Sequence, residues 1–535
     1  MMMPHANQQA KSVSSPWRPL RVTIFRNLLV ADLVSDIGAF MQSVGAAWLM
    51  TSLTTSVTYV ALIQTAAALP FFLLALPAGA IGDIFDRRKL ILGTEMWMAA
   101  VAILLAVTTF THAMTPWLLL ILTLAFSLGD ALESPAWRAI FPDLVPKEDL
   151  PPALALNGIE FNLARAVGPG LAGLIIAAAG VGTTFVVNAV SFLGVIAVIA
   201  RWKRPVRKSR LPAETISGAT FAAIRYVRYS PSIRTLLVRA ACVIFCTSAF
   251  WALLPAVAKS LNKGSVGYGL LLAFFGVGAV LGAFALQRAP SALSMEALLT
   301  IATAIFGAVV LATGTLRNLG VLCVLMSFGG AAWIVFMSLF NTLIQNLAPD
   351  WVRARVLAVY LLVFQGSVAA GSAIWGYTAD RTSAHLALVV SSIGIAGCML
   401  LRLPLPLPAS NLDLSSWNHW GKPALFAEPE PDQGPILVTI EYIIDPKTAP
   451  QFLAVIYKYQ RIRRRDGATR WAVFYDSETP NRYLETFLVD SWVEHQRQHE
   501  RSTHADGQLE DQVKRLTLEP EKVKHYIYAT RRGPR

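Results

Sequence analysis

The chain contains little charge and little cysteine for its length. Only 15% of its 535 residues are Asp, Glu, Lys or Arg, whereas 55% are hydrophobic. A soluble protein of this size rarely has such a composition, so the sequence disfavours a wholly soluble fold. The four cysteines lie within apolar runs, and we interpret them as small buried hydrophobic residues rather than as a disulfide framework. They are Cys242, Cys246, Cys323 and Cys398.

The amino-terminal segment lacks the pattern of a cleavable signal peptide. Residues 1–22 are polar and basic, and the apolar run after them is long enough to stay in a membrane. Acidic residues are also scarce, with 33 Asp and Glu against 46 Lys and Arg, which gives a net charge of +13. The bases cluster between apolar runs instead of forming one basic domain. We therefore interpret them as topology signals and expect no nucleic-acid partner.

Long apolar runs fill most of the first 402 residues. Each is about 20 residues long, the length that an α-helix needs to cross the hydrocarbon core of a bilayer. We predict an all-α polytopic membrane protein with twelve transmembrane helices and the lipid bilayer as a partner. The predicted spans are residues 27–50, 56–80, 90–110, 115–140, 154–178, 181–200, 236–257, 266–286, 295–314, 319–345, 355–379 and 384–402.

The positive charges predict the orientation of these helices. Gaps after even-numbered helices are basic, as in Arg87, Arg88 and Lys89 after the second helix. Gaps after odd-numbered helices carry few bases, and further bases precede the first helix. Because Lys and Arg are retained on the cytoplasmic side, we expect both termini to be cytoplasmic.

Changes in composition divide the chain into six segments. The basic gap after the sixth helix separates two sets of six helices, and its residues 216–234 predict an amphipathic helix on an anionic membrane surface. A proline-rich stretch then separates the second set from a soluble region. The predicted segments are the amino-terminal segment 1–26, the first bundle 27–200, the basic linker 201–235, the second bundle 236–402, the proline-rich linker 403–433 and the carboxy-terminal domain 434–530.

The carboxy-terminal segment has the pattern of a small α+β domain. Ile436, Val438 and Ile440 alternate with polar residues as in a strand, and an amphipathic helix follows Asp445 and Pro446. The predicted order is β-α-β-β-α-β, a ferredoxin-like sheet with helices on one face. The free face of such a sheet is commonly covered by a second copy, so we predict a homodimer through this domain.

Two histidines of this domain, His495 and His499, are one helical turn apart. This spacing suits two metal ligands, but it suits a solvated polar helix face equally well. We favour the solvated face, because the pattern lacks an H-E-x-x-H acid and because Arg497 and Arg501 would repel a cation. We therefore predict no metal site. The domain also resembles small monooxygenase-like barrels, but without a catalytic set we expect no catalytic residue and no enzyme activity.

The segment 79–89 reads GAIGDIFDRRK and joins the second and third predicted helices. It resembles the loop signature G-x-x-x-D-x-x-x-R-[KR] of major facilitator transporters, with matches at Gly79, Asp83, Arg87 and Arg88. Asp86 stands where that signature usually has glycine. The resemblance implies a cytoplasmic loop that takes part in gating.

Together with the twelve helices and the appended domain, this signature resembles one branch of the major facilitator superfamily. This branch contains bacterial secretion exporters related to the enterobactin exporter, whose usual tail is similar to residues 461–467, 485–492 and 495–501. The resemblance implies two six-helix bundles that rock around a central cavity in the bacterial inner membrane. It also implies export of a small-molecule substrate driven by proton entry, without a cofactor.

Further roles follow from this resemblance. Asp83 caps the eleventh helix from across the bundle interface and stabilises the outward-facing state, with Arg138 compensating its charge. The alternative is a simple turn with a topology-setting basic cluster. Gly168, Pro169 and Gly173 resemble a glycine-proline motif of facilitator exporters, although a generic packing kink explains them equally well.

Ionisable residues at membrane depth are costly and usually face a cavity or a partner. They are concentrated in the first bundle, where we expect them to carry protons. The alternative is a static ion-pair network that holds the first, fourth and fifth helices together. The proton-coupling candidates are Asp36, Asp130, Glu133, Glu160 and Arg165. The second bundle offers the polar cavity candidates Asn341, Gln345 and Gln365 instead.

The sequence thus favours a proton-coupled exporter of small organic molecules, siderophore-like or drug-like, that works by alternating access. An importer of the same fold and a membrane sensor with a transporter body are the alternatives. The intact loop signature argues against a degenerate transporter.

Overall fold

The computed structural model describes most of the chain. The described residues are 16–74, 86–202, 216–288, 293–407, 413–415, 417, 429–430 and 432–528. Two members of the predicted gating set, Gly79 and Asp83, lie outside these residues.

Thirteen α-helices lie between residues 23 and 400 of the described chain. They are α1 (Thr23–Leu53), α2 (Val57–Leu74), α3 (Arg87–Phe110), α4 (Pro116–Leu144), α5 (Leu150–Ala179), α6 (Val181–Arg201), α7 (Ile216–Tyr229), α8 (Pro231–Ser260), α9 (Gly264–Gln287), α10 (Met295–Thr315), α11 (Leu319–Leu347), α12 (Arg353–Arg381) and α13 (Ala384–Leu400). Eleven are long and apolar enough to cross a membrane, and α13 is apolar but has only 17 residues. Together with α13, the eleven correspond to the twelve predicted spans, and α7 lies in the basic linker.

Local sequence explains where several of these helices begin. Asp86 precedes α3, and its carboxylate accepts the backbone N–H of Arg88 at 2.9 Å and of Lys89 at 3.3 Å. The residue that departs from the loop signature therefore caps a helix whose first amides would otherwise lack partners. Thr115 caps α4 in the same way, with Pro116 in the first turn.

The carboxy-terminal domain contains a four-stranded antiparallel sheet and three helices. Its elements are β1 (Ile436–Ile443), α14 (Ala449–Asp466), β2 (Thr469–Tyr475), β3 (Arg482–Val489), α15 (Trp492–Arg501), α16 (His504–Lys514) and β4 (Lys522–Ile527). The strand order is β2-β3-β1-β4, which is the ferredoxin-like arrangement. The predicted fold class, a helical membrane protein with this appended domain, is confirmed.

The second helix of the domain is broken in two, which the sequence analysis did not foresee. Ser502 is extended and ends α15. Thr503 then begins α16 with a capping box, in which its side chain and that of Asp506 bond each other's backbone N–H groups.

The described residues form two compact units. The first comprises the residues up to 202, 242–337 and 364–400, which include most of the membrane helices. The second comprises 216–241, 338–363 and the residues from 401 onward. It therefore unites α7, parts of α8, α11 and α12, and the carboxy-terminal domain.

Candidate functional site: an acidic cavity among the first membrane helices

A polar cavity of about 390 Å³ lies within the first unit, between α1, α3, α4, α5 and α6. We call it the acidic cavity, because five carboxylates line it. These are Asp32, Asp36, Glu95, Asp130 and Glu133. Among the described residues of its wall, Arg138 is the one basic side chain. The carboxylates lie on helices that are long and apolar enough to span a membrane, where charge is costly without water or a partner.

Two carboxylates of the cavity wall, Asp32 and Asp36, lie close to the buried carboxylate of Glu160. Oxygens of Asp32, Asp36 and Glu160 all lie within 4.8 Å of one another. The amide of Asn157 donates to Glu160 Oε2 at 3.1 Å and approaches Asp32 Oδ2 at 3.4 Å. Three like charges at this separation repel strongly, so they require a shared proton or another cation. Asp36 and Glu160 are two of the predicted proton-coupling candidates, whereas the sequence analysis did not indicate Asp32.

A second pair of acids lies between α3 and α4. Glu133 is 6% exposed, and its Oε2 accepts the hydroxyl of Thr94 at 2.8 Å. Glu95 is 4% exposed and lines the same cavity, with a buried Oε2 that has no hydrogen-bond donor among the described residues. Asp130 is exposed within the cavity wall. The predicted acids Asp130 and Glu133 therefore do face one cavity.

Two carboxylates of the site, Asp32 and Glu95, were missed by the sequence analysis. Asp32 precedes Asp36 by four residues and so lies on the same face of α1. Glu95 interrupts an otherwise apolar run in α3. Both residues are acids at membrane depth, so the criterion that selected the other predicted acids also applies to them.

The basic side chains near the cavity are not in close ion pairs with its acids. The guanidinium of Arg165 lies 4.8 Å from the ring centroid of Phe161, a residue of the cavity wall. Arg138 is exposed and lines the cavity. Within the described residues no ion pair joins either arginine to Asp36, Asp130 or Glu133. The choice between proton coupling and a static network of these groups stays a prediction.

Arg87 and Arg88, the described bases of the loop signature, bind helix ends. Arg87 donates to the carbonyl of Ala139 at 2.9 Å and lies 3.6 Å from Asp143. Arg88 donates to the carbonyl of Ile199 at 3.0 Å. Cations near the carboxyl end of a helix are favourable, so these contacts fix the start of α3 against the ends of α4 and α6.

The glycine-proline segment of α5 lies where helices approach closely. A Cβ at Gly168 would lie 2.7 Å from Cβ of Phe40 in α1. A Cβ at Gly173 would lie 2.9 Å from Cα of Gly269 in α9. Pro169, between them, is buried. Small residues are therefore required on both sides of α5, which is the packing role that either interpretation of the motif predicts.

Asp380 joins α12 to the start of α2. Its Oδ1 accepts the backbone N–H of Val57 at 2.6 Å. Its Oδ2 accepts the hydroxyls of Ser56 at 2.5 Å and Thr58 at 2.7 Å. We call this contact the Asp380 latch. It supplies the acceptor that the first amides of α2 need, from a helix more than 300 residues further along the chain.

The polar candidates of the second half do not form one described site. Gln345 donates to the side chain of Asn341 at 2.5 Å on the exposed side of α11. Both residues belong to the second unit, whereas the half-buried Gln365 belongs to the first. Their role as cavity residues stays a prediction.

In the second unit, the linker helix α7 is bound to the carboxy-terminal domain by buried charges. Arg225 donates to Glu494 at 3.0 Å and to the carbonyl of Arg465 at 3.2 Å. Glu494 also accepts Arg501 at 2.6 Å. Burial alone would raise the pKa of Glu494, but hydrogen bonds from Arg501 and Arg225 hold it below its usual value.

Aromatic stacking completes this contact. Tyr226 is 2% exposed, with the guanidinium of Arg465 at 5.3 Å from its ring centroid and Trp351 edge-on at 5.5 Å. Arg501 lies 4.7 Å from the ring centroid of Trp351. The apolar face of α7 thus packs on protein, while Phe221 and Ile224 are exposed. The predicted binding of α7 to a membrane surface therefore applies only to its exposed face, which carries Phe221 and Ile224.

The histidines of α15 are not on a solvated face. His495 is 3% exposed, so that prediction is wrong for this residue. Arg501 is also buried and is paired with Glu494, so its charge is compensated. The sequence could not show this, because the burial of α15 depends on the sheet and on α7.

Solved transporter structures share the fold of the membrane part. A bacterial homologue of the human lysosomal transporter Spinster, inward-facing and unoccupied, matches with a TM-score of 0.59 at 14% identity, covering 73% of this chain and 97% of that chain. The nucleoside transporter NupG matches with a TM-score of 0.54 at 12% identity, covering 71% and 98%. These likenesses show the fold of the membrane part, which is that of multi-pass membrane transporters.

Sequence similarity then identifies the family. Residues 14–533 match the transmembrane secretion effector family, and the chain belongs to it. The staphyloferrin A transporter of Staphylococcus aureus is 22% identical over 64% of this chain and 86% of its own length. The multidrug efflux pump Tap of Mycolicibacterium fortuitum is 24% identical over 73% and 97%. The enterobactin exporter EntS of Salmonella choleraesuis is 24% identical over 71% and 91%.

Proposed function

We propose that this transporter exports small organic molecules across the bacterial inner membrane in exchange for protons. The acidic cavity carries the proposal, and above all the close approach of Asp32, Asp36 and Glu160. A group of carboxyls that cannot all be ionised together takes up a proton when one side of the membrane has access and releases it when a cation or the other side competes.

Alternating access requires contacts that form and break at each end of the membrane part. The Asp380 latch and the close contact of Gly173 with Gly269 hold helices of the two sequence halves together in this conformation. We propose that both contacts lie on the periplasmic side, as the basic gaps indicate. The bases Arg87 and Arg88, with Arg138, then belong to the cytoplasmic side, where the loop with Gly79 and Asp83 acts in gating.

The substrate class follows from the relatives and from the cavity. Relatives named for staphyloferrin A, enterobactin and multidrug efflux all handle small organic molecules. The cavity of about 390 Å³ has the size of a small-molecule site and mixes carboxylates with Phe126, Trp137 and Phe161. We therefore propose siderophore-like or drug-like organic molecules as cargo, with Asn341, Gln345 and Gln365 along the path.

The test uses inverted membrane vesicles with an imposed proton gradient. Addition of a transported compound from a panel of siderophores and lipophilic drugs is expected to dissipate the gradient in wild-type vesicles. Glu133→Gln combined with Asp130→Asn is expected to abolish this response, because the cavity then loses two of its proton acceptors. Glu148→Gln, at an exposed position outside the cavity, is the matched control and is expected to respond normally.

The alternatives give different results in the same vesicles. An importer would show solute entry from the opposite side of the membrane, and a sensor would bind a compound without flux. Full gradient-dependent efflux by the double variant would contradict proton coupling through α4.

A further inference from the structure

A small cavity lies in the carboxy-terminal domain, between the sheet and the helices α14 and α15. Its volume of about 20 Å³ holds one water molecule or one ion. Three imidazoles line it, from His495 and His499 on α15 and from His525 on β4. The ring of His495 lies 4.6 Å from that of His499 and 4.7 Å from that of His525, between centroids. We call this cavity the histidine pocket.

The nitrogens of the helical pair have the spacing of two ligands on one metal ion. Nε2 of His495 lies 3.2 Å from Nε2 of His499, a separation at which one ring also donates a hydrogen bond to the other when no ion is bound. Two imidazoles on a tetrahedral ion, each with a bond of about 2.0–2.1 Å, place their nitrogens about 3.3 Å apart. Residues four apart on a helix reach such a shared point because they lie on one face.

Gln498 orients the first of these rings. Its Oε1 lies 3.3 Å from Nδ1 of His495. In the tautomer with the hydrogen on Nδ1, the amide oxygen accepts that hydrogen and Nε2 presents its lone pair towards His499. This is the arrangement in which an outer hydrogen bond fixes the tautomer of a metal-binding histidine.

Buried nitrogens without partners cluster around the pocket. Within the described residues, Nε1 of Trp492, Nε2 of Gln498 and Nε2 of His525 are buried and accept or donate no hydrogen bond. The Trp492 ring packs on His495 at 5.5 Å and on His525 at 5.9 Å between centroids. Buried polar groups are nearly always satisfied, so the orphaned Nε2 of His525, which lines a cavity of ionic size, points to a ligand, whereas the N–H groups of Trp492 and Gln498 only donate and do not bind a cation.

We propose that the histidine pocket binds one divalent transition-metal ion of the Zn²⁺ class through Nε2 of His495 and Nε2 of His499, with His525 as the third protein ligand. Among the described residues, the nitrogens of the three rings do not all lie within 4.8 Å of one another. Coordination by all three rings therefore requires the side chain of His525 to turn towards the pair. A fourth position stays open for water.

The charges around the pocket are compatible with an exchangeable ion. An imidazole binds a metal ion in its neutral form. Arg463 lines the pocket too, but it is paired with the buried Glu485 at 3.4 Å. Because the ligands are neutral and an arginine lies beside them, we expect the metal ion to bind more weakly than it does in a site with thiolate ligands.

The position of the pocket gives this binding a consequence. The helix α15 carries both the histidine pair and the residues Glu494 and Arg501, which hold the linker helix α7 through Arg225. An ion that joins two consecutive turns of α15 stabilises that helix. Metal binding is therefore expected to strengthen the contact between the carboxy-terminal domain and the linker.

The test uses the full-length protein, purified with a tag that lacks histidine and freed of metal with a chelator. Titration with Co²⁺ is expected to give the visible absorption of a tetrahedral ion at one equivalent, and Zn²⁺ is expected to displace it. His499→Ala, at a half-buried position, is expected to weaken binding by at least about tenfold, and so is His525→Ala. With Zn²⁺, backbone amides of α7 are expected to exchange more slowly.

The matched control is His504→Ala, an exposed histidine of the same domain, which is expected to bind as the wild type does. Circular dichroism and gel filtration establish that each variant is folded. The proposal is overturned if the wild type binds no Co²⁺, or if folded His499→Ala and His525→Ala variants bind it with unchanged affinity. A crystal soaked in Zn²⁺ that shows only a water molecule in the pocket would have the same meaning.

Discussion

Single carboxylates decide how the acidic cavity behaves. Asp32, Asp36 and Glu160 come from two helices and share a space too small for three full charges. Asn157 offers one amide donor at that place, while Oε1 of Glu160 is buried with no hydrogen-bond donor among the described residues. The carboxyls of Asp32, Asp36 and Glu160 therefore compete for a shared proton.

Asp32→Asn separates proton coupling from a static structural role. If the three acids share a proton, removing one charge relieves the repulsion, and the pH profile of substrate-driven efflux is expected to shift by about one unit. The measurement is the initial rate of gradient dissipation across a pH series in inverted vesicles. An unchanged profile together with a lowered thermal stability would instead show that Asp32 only holds α1 against α5.

At the scale of elements, the contact between α7 and the carboxy-terminal domain includes one largely buried anion, Glu494, whose side chain is 16% exposed. Glu494 is surrounded by Arg225 and Arg501, whose side chains are 22% and 4% exposed. Removing one partner of a buried ion pair costs more free energy of folding than the intact pair contributes, because the remaining charges stay buried without compensation.

Glu494→Gln is expected to loosen this contact by about 3–5 kcal/mol. Hydrogen exchange of the α7 amides in the full-length protein is expected to accelerate. Glu500→Gln is the matched control, since it lies on the exposed side of the same helix. Equal exchange in the two variants would show that the aromatic contacts of Tyr226 and Trp351 suffice.

The same anion predicts a pH dependence. The pKa of Glu494 is lowered in the folded protein, so its contribution is fully present above the unfolded value of about 4.3 and is lost as the pH falls through the lowered value. Exchange of α7 is therefore expected to rise in acid, beyond the intrinsic rate, in the wild type but not in Glu494→Gln.

The helices and strands differ in how far the sequence predicts them. The membrane helices were predictable, because a bilayer forces every apolar run of sufficient length to satisfy its own backbone. The strands of the carboxy-terminal domain were predictable from alternation, as at Ile436, Val438 and Ile440. The break between α15 and α16 is encoded by Thr503 and Asp506, whose capping pattern is visible in the sequence but did not enter the prediction. The burial of His495 was not predictable, since it depends on residues distant in sequence.

At the scale of the whole molecule, the Asp380 latch connects the two sequence halves through a single carboxylate. Three groups of the α2 start donate to it. Hydrogen bonds to a charged acceptor are stronger than neutral ones, at about 1.5–3 kcal/mol each. In the alternating-access cycle that we propose, this contact breaks once per turnover, so its strength contributes to the balance between the two conformations.

Asp380→Asn is expected to shift this balance towards opening at the latch, because the neutral amide is a weaker acceptor for Val57. Spin labels at Thr55 and Thr382 are expected to report a larger population of long distances in the variant. Asp350→Asn, at an exposed position outside the latch, serves as the control. Identical distance distributions for the wild type and Asp380→Asn would contradict a gating role for this contact.

The composition of the second unit has a consequence for biogenesis. Its parts are translated at three separate times, because α7 leaves the ribosome long before the chain beyond residue 401 that covers Tyr226. The nascent protein must therefore insert all of its membrane helices while this aromatic surface is still bare. The second unit therefore assembles after the membrane helices have been inserted. A chain that stops early would leave the aromatic surface around Tyr226 exposed, where quality-control proteases can recognise it.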